Sequence, residues 1–168
     1  MGIKNLTMLT KEQAITEHRK MWNWIADRLE EAEKLKNDGN LKSPDLYDVY
    51  KLKRKYVENY GSYILCSCFC CEYDKQQYCT DDDERMDCKY CPLLWGTENE
   101  MDSFFCEGGT DMSDFKRKYY IVFFTTFETM GLWGMANRLS GCNKYKEAAE
   151  IARQIANLPE KPDKKGIE

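Results

Sequence analysis

The chain carries a single histidine, His18, and none of the sequence patterns that mark the common enzyme sites. It has no glycine-rich phosphate loop, no nucleophile elbow and no pair of carboxylates in a recognisable catalytic motif. The lack of a second histidine argues against zinc sites built on two or three imidazoles. Long hydrophobic runs are missing as well: Tyr119 to Phe124 is the longest candidate, far short of the roughly 18 residues that cross a bilayer. The opening Met1-Gly-Ile-Lys-Asn-Leu6 has neither a charged-then-apolar signal pattern nor the Ser or Thr that a myristoylation motif places at position 6. The expectation is a soluble protein that is not an enzyme, has no catalytic residue and no membrane partner, and sits in a reducing cytoplasm.

Cysteine, by contrast, is plentiful. Nine are present, and four of them form Cys68-x-x-Cys71 and, after sixteen intervening residues, Cys88-x-x-Cys91-Pro92. Two thiolates three positions apart on a tight turn can both reach one ion at about 2.3 Å, and two such knuckles close a tetrahedron. The gap falls in the window of roughly 15 to 20 residues typical of paired zinc knuckles. The expected ligands of a Zn2+ ion are therefore Cys68, Cys71, Cys88 and Cys91. An odd cysteine count fits a disulfide framework poorly, and neither knuckle has the strand-to-helix setting of a thioredoxin-like pair. A site of four thiolates is closed, whereas catalytic zinc keeps a position open for water.

Cys66, Cys70, Cys79, Cys106 and Cys142 read as free or packed thiols. The crowding Cys66-Ser-Cys68-Phe-Cys70-Cys71 blurs the register of the first knuckle, and Cys79 or Cys106 could replace one of the four. His18 reads as a hydrogen-bonded core histidine packing on Trp22, with service as a zinc ligand in place of one cysteine as the alternative. A nucleophilic Cys/His pair would need a spare thiol beside it.

The formal charge is −4, from 25 basic and 29 acidic residues, so the net field does not favour generic binding to a phosphate backbone. The charge is unevenly spread. Lys51-Leu-Lys-Arg-Lys-Tyr56 and Lys116-Arg-Lys-Tyr-Tyr120 are basic and carry tyrosines, while Asp81, Asp82, Asp83 and Glu84 lie between the knuckles. The simplest reading of both is solvated surface. Lys53, Arg54 and Lys55 are the candidates for meeting phosphates beside stacking rings. The acidic run is the candidate for occupying a basic groove on a protein partner.

Periodicity points to one mainly α domain over 1–168. Thr10 with Gln13 forms a capping box before a long amphipathic helix from Lys11 to about Lys36, with Ile15, His18, Trp22, Ile25, Leu29 and Ala32 on one face. Trp22 and Trp24, two apart, cannot both face the same core. Asn37-Asp-Gly-Asn40 ends this helix. Ser43-Pro44 opens a second one to about Tyr60, giving a helical hairpin over 11–60. The zinc region, 64–106, is short of helical spacing and reads as loops or two short hairpins, with little or no β structure. Two C-terminal helices are expected within 112–158: one through the aromatic stretch Phe115 to Leu139, where a strand is the competing assignment, and one from Lys144 to Leu158 stopped by Pro159. Residues 160–168 read as a flexible charged tail.

Four stretches carry a resemblance: Glu17-His-Arg-Lys-Met-Trp-Asn-Trp-Ile-Ala26, Cys68-Phe-Cys-Cys-Glu-Tyr73, Cys88-Lys-Tyr-Cys-Pro-Leu93 and Ala148-Ala-Glu-Ile-Ala-Arg-Gln-Ile-Ala-Asn-Leu-Pro159. Together they resemble small zinc-knuckle proteins encoded by tailed bacteriophages and prophages of Gram-positive bacteria, over about half of the chain. Those proteins share an N-terminal helix, two Cys-x-x-Cys knuckles and a C-terminal helix ending in Asn-Leu-Pro. This chain departs from them in its longer aromatic segment around 110–130 and in its extra cysteines. The resemblance implies a phage origin, a bacterial host cytoplasm and metal binding, but no activity. The function expected is that of an accessory protein acting through protein–protein contact, inhibiting or redirecting a host defence or replication factor. The alternative is a nucleic-acid-binding zinc-knuckle module.

Overall fold

The computed structural model describes residues 9–59, 68–78, 91–93 and 132–161. These residues are mostly helical and contain no strand, in keeping with the expected mainly α class. Five α-helices are present among them: α1 (Lys11–Asn37), α2 (Val49–Glu58), α3 (Phe69–Tyr78), α4 (Leu132–Gly141) and α5 (Tyr145–Ala156). None is long and apolar enough to cross a membrane.

The long first helix starts where the sequence places it. Thr10 Oγ1 accepts the Gln13 N–H at 3.2 Å while Gln13 Oε1 accepts the Thr10 N–H at 2.9 Å, so two orphan donors of the first turn are satisfied reciprocally. It ends at a left-handed glycine. Gly39 has φ +70°, and the Asn40 N–H reaches back to the Leu35 carbonyl at 2.8 Å, closing a Schellman turn. All six residues of the expected apolar face are buried, and Ala14, Met21 and Ala26 join them. That face packs most extensively on α5 and next on α3, with a smaller contact to α2.

The second helix begins later than Ser43-Pro44 suggests. Pro44–Tyr47 form a 3-10 turn, and Asp48 is the N-cap of α2, its side chain accepting the Lys51 N–H at 3.1 Å. The preceding two donors go to α4: Val49 N–H to Ser140 Oγ and Tyr50 N–H to Asn137 Oδ1, each at 3.1 Å. The start of α2 is thus set by long-range partners that a local capping rule does not see.

The largest departure lies in the zinc region. Residues 69–78, expected as loop or hairpin, are helical. The helix has little apolar periodicity because its buried positions include Cys70, Glu72 and Asp74 along with Phe69. The aromatic stretch Phe115 to Gly131 lies outside the described residues, and α4 covers only the end of the expected helix. Asn143, at φ +58°, then closes a tight turn into α5, with the Lys144 N–H bonded to the Leu139 carbonyl at 2.9 Å. Its own carbonyl receives Lys36 Nζ at 2.9 Å, which pins the turn to the end of α1. Glu160 and Lys161, expected in the tail, are instead tied down. Glu160 bridges to Leu93, and the Lys161 N–H donates to the Pro92 carbonyl at 2.8 Å.

Candidate metal centre

The first turn of α3 brings the first knuckle against α1. Cys68 occupies the capping position: its carbonyl accepts the Glu72 N–H at 3.0 Å and its Sγ accepts the Cys71 N–H at 3.4 Å. A helix N-terminus presents partial positive charge, and an N–H donated to sulfur favours the thiolate. The Cys-x-x-Cys spacing therefore works here through helix geometry rather than on a loop. Position i caps the helix and position i+3 supplies the N–H that holds its sulfur.

Three donor atoms converge in the core. His18 from α1, Cys68 and Cys70 are all buried, and their ligand atoms lie within 4.8 Å of one another. Cys68 Sγ is 3.8 Å from His18 Nδ1. On the other side of the ring, Nε2 lies 3.4 Å from the Ile155 carbonyl of α5. A carbonyl oxygen can only accept, so this contact puts the imidazole proton on Nε2 and turns the Nδ1 lone pair toward the sulfurs.

Two further thiols border the group. Cys71 touches Cys68, and the buried Cys91 touches Cys70. Hydrogen bonds from Cys70 and Cys71 hold the Cys68 thiol well below its ordinary pKa, against the opposing effect of burial. Cys70 is displaced upward, by its contacts with Cys68 and Cys91 and then by burial. Its sulfur also lies 3.9 Å from the Ala14 carbonyl. One S–H has three acceptors within reach and can satisfy only one of them well.

His18, Cys68 and Cys70 could hold a metal ion. Sulfur and imidazole nitrogen suit soft and borderline cations, whereas calcium and magnesium demand shells of oxygen. In a tetrahedral thiolate site, neighbouring sulfurs lie about 3.8 Å apart, so only a small contraction separates these donors from ligand geometry.

Of the expected quartet, Cys68 is in the close set, Cys71 adjoins it through its N–H to the Cys68 sulfur, and the buried Cys91 neighbours Cys70. Cys88 lies outside the described residues, as do Cys66, Cys79, Cys106 and the acidic run Asp81, Asp82, Asp83 and Glu84. Cys142, after α4, is an exposed free thiol. Cys70, read as a spare thiol, is instead inside the cluster, and His18, read as a packed core residue, faces it. The sequence held one clue to His18: a polar side chain in the centre of an otherwise apolar helix stripe. Only the tertiary placement of α3 shows what it meets.

The basic candidates are placed differently from one another. Arg54 and Lys55 are on the exposed face of α2, Arg54 paired with Glu58 at 3.0 Å. Lys53 is 4% exposed. Its Nζ sits 4.8 Å from the ring centre of Trp133 and 5.5 Å from that of Trp22, between two indoles rather than facing solvent. Next to it an aromatic ladder runs from α1 to the knuckle. Trp24 packs on Tyr56 at 5.5 Å between centroids, and Tyr56 meets Phe69 edge-on at 6.2 Å.

No protein-family model, no curated protein and no solved structure matches this chain.

Proposed function

We propose that this protein is a non-enzymatic, zinc-binding accessory protein in which the ion is a scaffold and the biological act is contact with a protein partner. The observation that carries this reading is the fully buried clutch of nitrogen and sulfur donors joining α1, the start of α3 and Cys91. A donor set of this chemistry favours zinc. Its burial leaves no solvent-facing position for substrate, which supports a structural rather than a catalytic ion. The resemblance to phage-encoded knuckle proteins supports a phage origin, and with it a host defence or replication factor as the class of partner. The alternative, nucleic-acid binding through the α2 basic cluster, has weaker support because Lys53 is enclosed by tryptophans.

Two measurements on the purified full-length chain test this. Elemental analysis is expected to find one zinc per chain. Tagged protein incubated with nuclease-treated lysate of a Gram-positive host is expected to retain one protein that re-forms a stoichiometric complex when both are purified. That complex is expected to weaken when zinc is chelated. A chain that carries no zinc, or that binds DNA or RNA with the steep salt dependence of phosphate contacts while retaining no protein, would overturn the reading.

A further inference from the structure

We infer that the metal centre is a mixed site of one imidazole and three thiolates, with His18 Nδ1, Cys68, Cys70 and Cys91 as its donors and Cys71 outside the first coordination shell. This deepens the zinc-binding reading above and rests on it. Three observations carry the assignment.

The first is proximity. His18, Cys68 and Cys70 form the mutually close set, and the buried Cys91 neighbours Cys70. Cys71 is only partly buried, whereas Cys68, Cys70 and Cys91 are buried.

The second is the orientation of the imidazole. A histidine bound to metal through one nitrogen ordinarily donates from the other to a carbonyl or carboxylate, which fixes the tautomer and aims the lone pair. The Ile155 carbonyl stands 3.4 Å from His18 Nε2, and Cys68 lies on the Nδ1 side at 3.8 Å. The outer-shell partner that a ligating Nδ1 requires is therefore already supplied by α5.

The third is the division of work within the knuckle. The Cys71 backbone N–H supports the Cys68 sulfur at 3.4 Å. Cys71 thereby serves the site through its main chain, and its side chain is not needed to close a tetrahedron that His18 completes.

The four donors then come from three parts of the fold: His18 from the middle of α1, Cys68 and Cys70 from the cap and first turn of α3, and Cys91 from the segment paired with Glu160 and Lys161. Deprotonation of three thiols on binding one dication leaves the centre with a net charge of −1, less than that of a four-thiolate site. That is the easier charge to keep in a buried position.

X-ray absorption at the zinc edge of the unmodified, zinc-loaded chain should fit one nitrogen and three sulfur neighbours. Long-range ¹H–¹⁵N correlation of His18 should show the tautomer protonated at Nε2. A shell of four sulfurs with full zinc occupancy overturns the inference while leaving the zinc reading intact; absence of zinc overturns both. Among variants, Cys70→Ser is expected to weaken zinc by more than ~100-fold, beyond the ~10–100-fold typical of losing an outer-shell group, and Cys71→Ser by less than that. The reverse order overturns the assignment. His18→Cys, which keeps a donor at the same place, is expected to retain stoichiometric metal with a four-sulfur shell. Retention of the mixed shell in that variant would show that another nitrogen is the ligand.

Discussion

Lys53 shows how a residue that looks like surface charge can be part of the core. A lysine enclosed by two indoles gives up hydration and receives the attraction of two ring faces, worth about 2 kcal/mol when a cation–π pair is desolvated. Its four-carbon stem also covers apolar surface. Arg54, one position along, has only an exposed i,i+4 pair with Glu58, of a kind that contributes about 0.3–0.5 kcal/mol. We therefore expect Lys53→Ala to lower unfolding free energy by about 1–3 kcal/mol and Arg54→Ala by less than about 0.5 kcal/mol, measured by urea denaturation. Equal and small effects would mean that Lys53 is exposed in solution. The same position illustrates why residue roles were only partly legible: the run Lys51-Leu-Lys-Arg-Lys-Tyr56 marks a basic helix, but nothing in it distinguishes the lysine that meets Trp133, which lies 80 positions further along the chain.

Among elements, the α1–α5 pair is the most extensive packing in the described structure, and its two helices are those whose extents the sequence placed to within about two residues. Their contact relies on small residues. Ala26, Ala148, Ala149 and Ala152 are buried among Trp22, Ile25, Leu29, Ile151 and Ile155, so the backbones can approach closely. Ala152→Leu is expected to overpack this interface and cost about 1–3 kcal/mol, seen as a lower Tm with helix content retained. At the rim, Arg153 donates to Asn23 Oδ1 at 3.0 Å and to Glu30 at 3.2 Å, and also pairs with Asp27. Because all three charges are at least a third exposed, Arg153→Ala should cost only about 0.5–1 kcal/mol, and 1 M salt should reduce that difference. A core substitution and a rim substitution on one helix thus separate packing from charge. Helices with a regular apolar stripe, α1 with its capping box and α5 before Pro159, could be read from sequence alone. The start of α2 could not, because the acceptors for its first N–H groups belong to Asn137 and Ser140, and α3 could not, because cysteine, glutamate and aspartate occupy its buried positions.

For the molecule as a whole, the question is how much of the fold depends on the ion. A metal that organised everything would make the chain unfolded without it, as in small zinc fingers. Here α1, α4 and α5 share a core containing Trp22, Ile25, Leu29, Leu139, Tyr145, Ile151 and Ile155, all of them buried and none of them a metal-ligating residue. Full burial of each such side chain is worth about 1.5–3 kcal/mol, and this apolar packing is concentrated in that part of the molecule. Helix α3 and the 91–93 segment have much less. What attaches them to the rest is Phe69, Leu93, the bridge to Glu160, the Lys161 N–H bond to Pro92, and the cysteine cluster itself. Chelating the metal from the purified protein should therefore lower the Tm and remove amide-exchange protection from α3 first, while α1 and α5 stay protected and most of the helical ellipticity at 222 nm remains. Restoring zinc should restore protection in α3. Complete loss of helix on chelation would show that the ion nucleates the entire fold, and unchanged exchange in α3 would show that it holds nothing there. The expected partial response assigns the proposed ion a specific role, which is to fix the position of the first knuckle against α1.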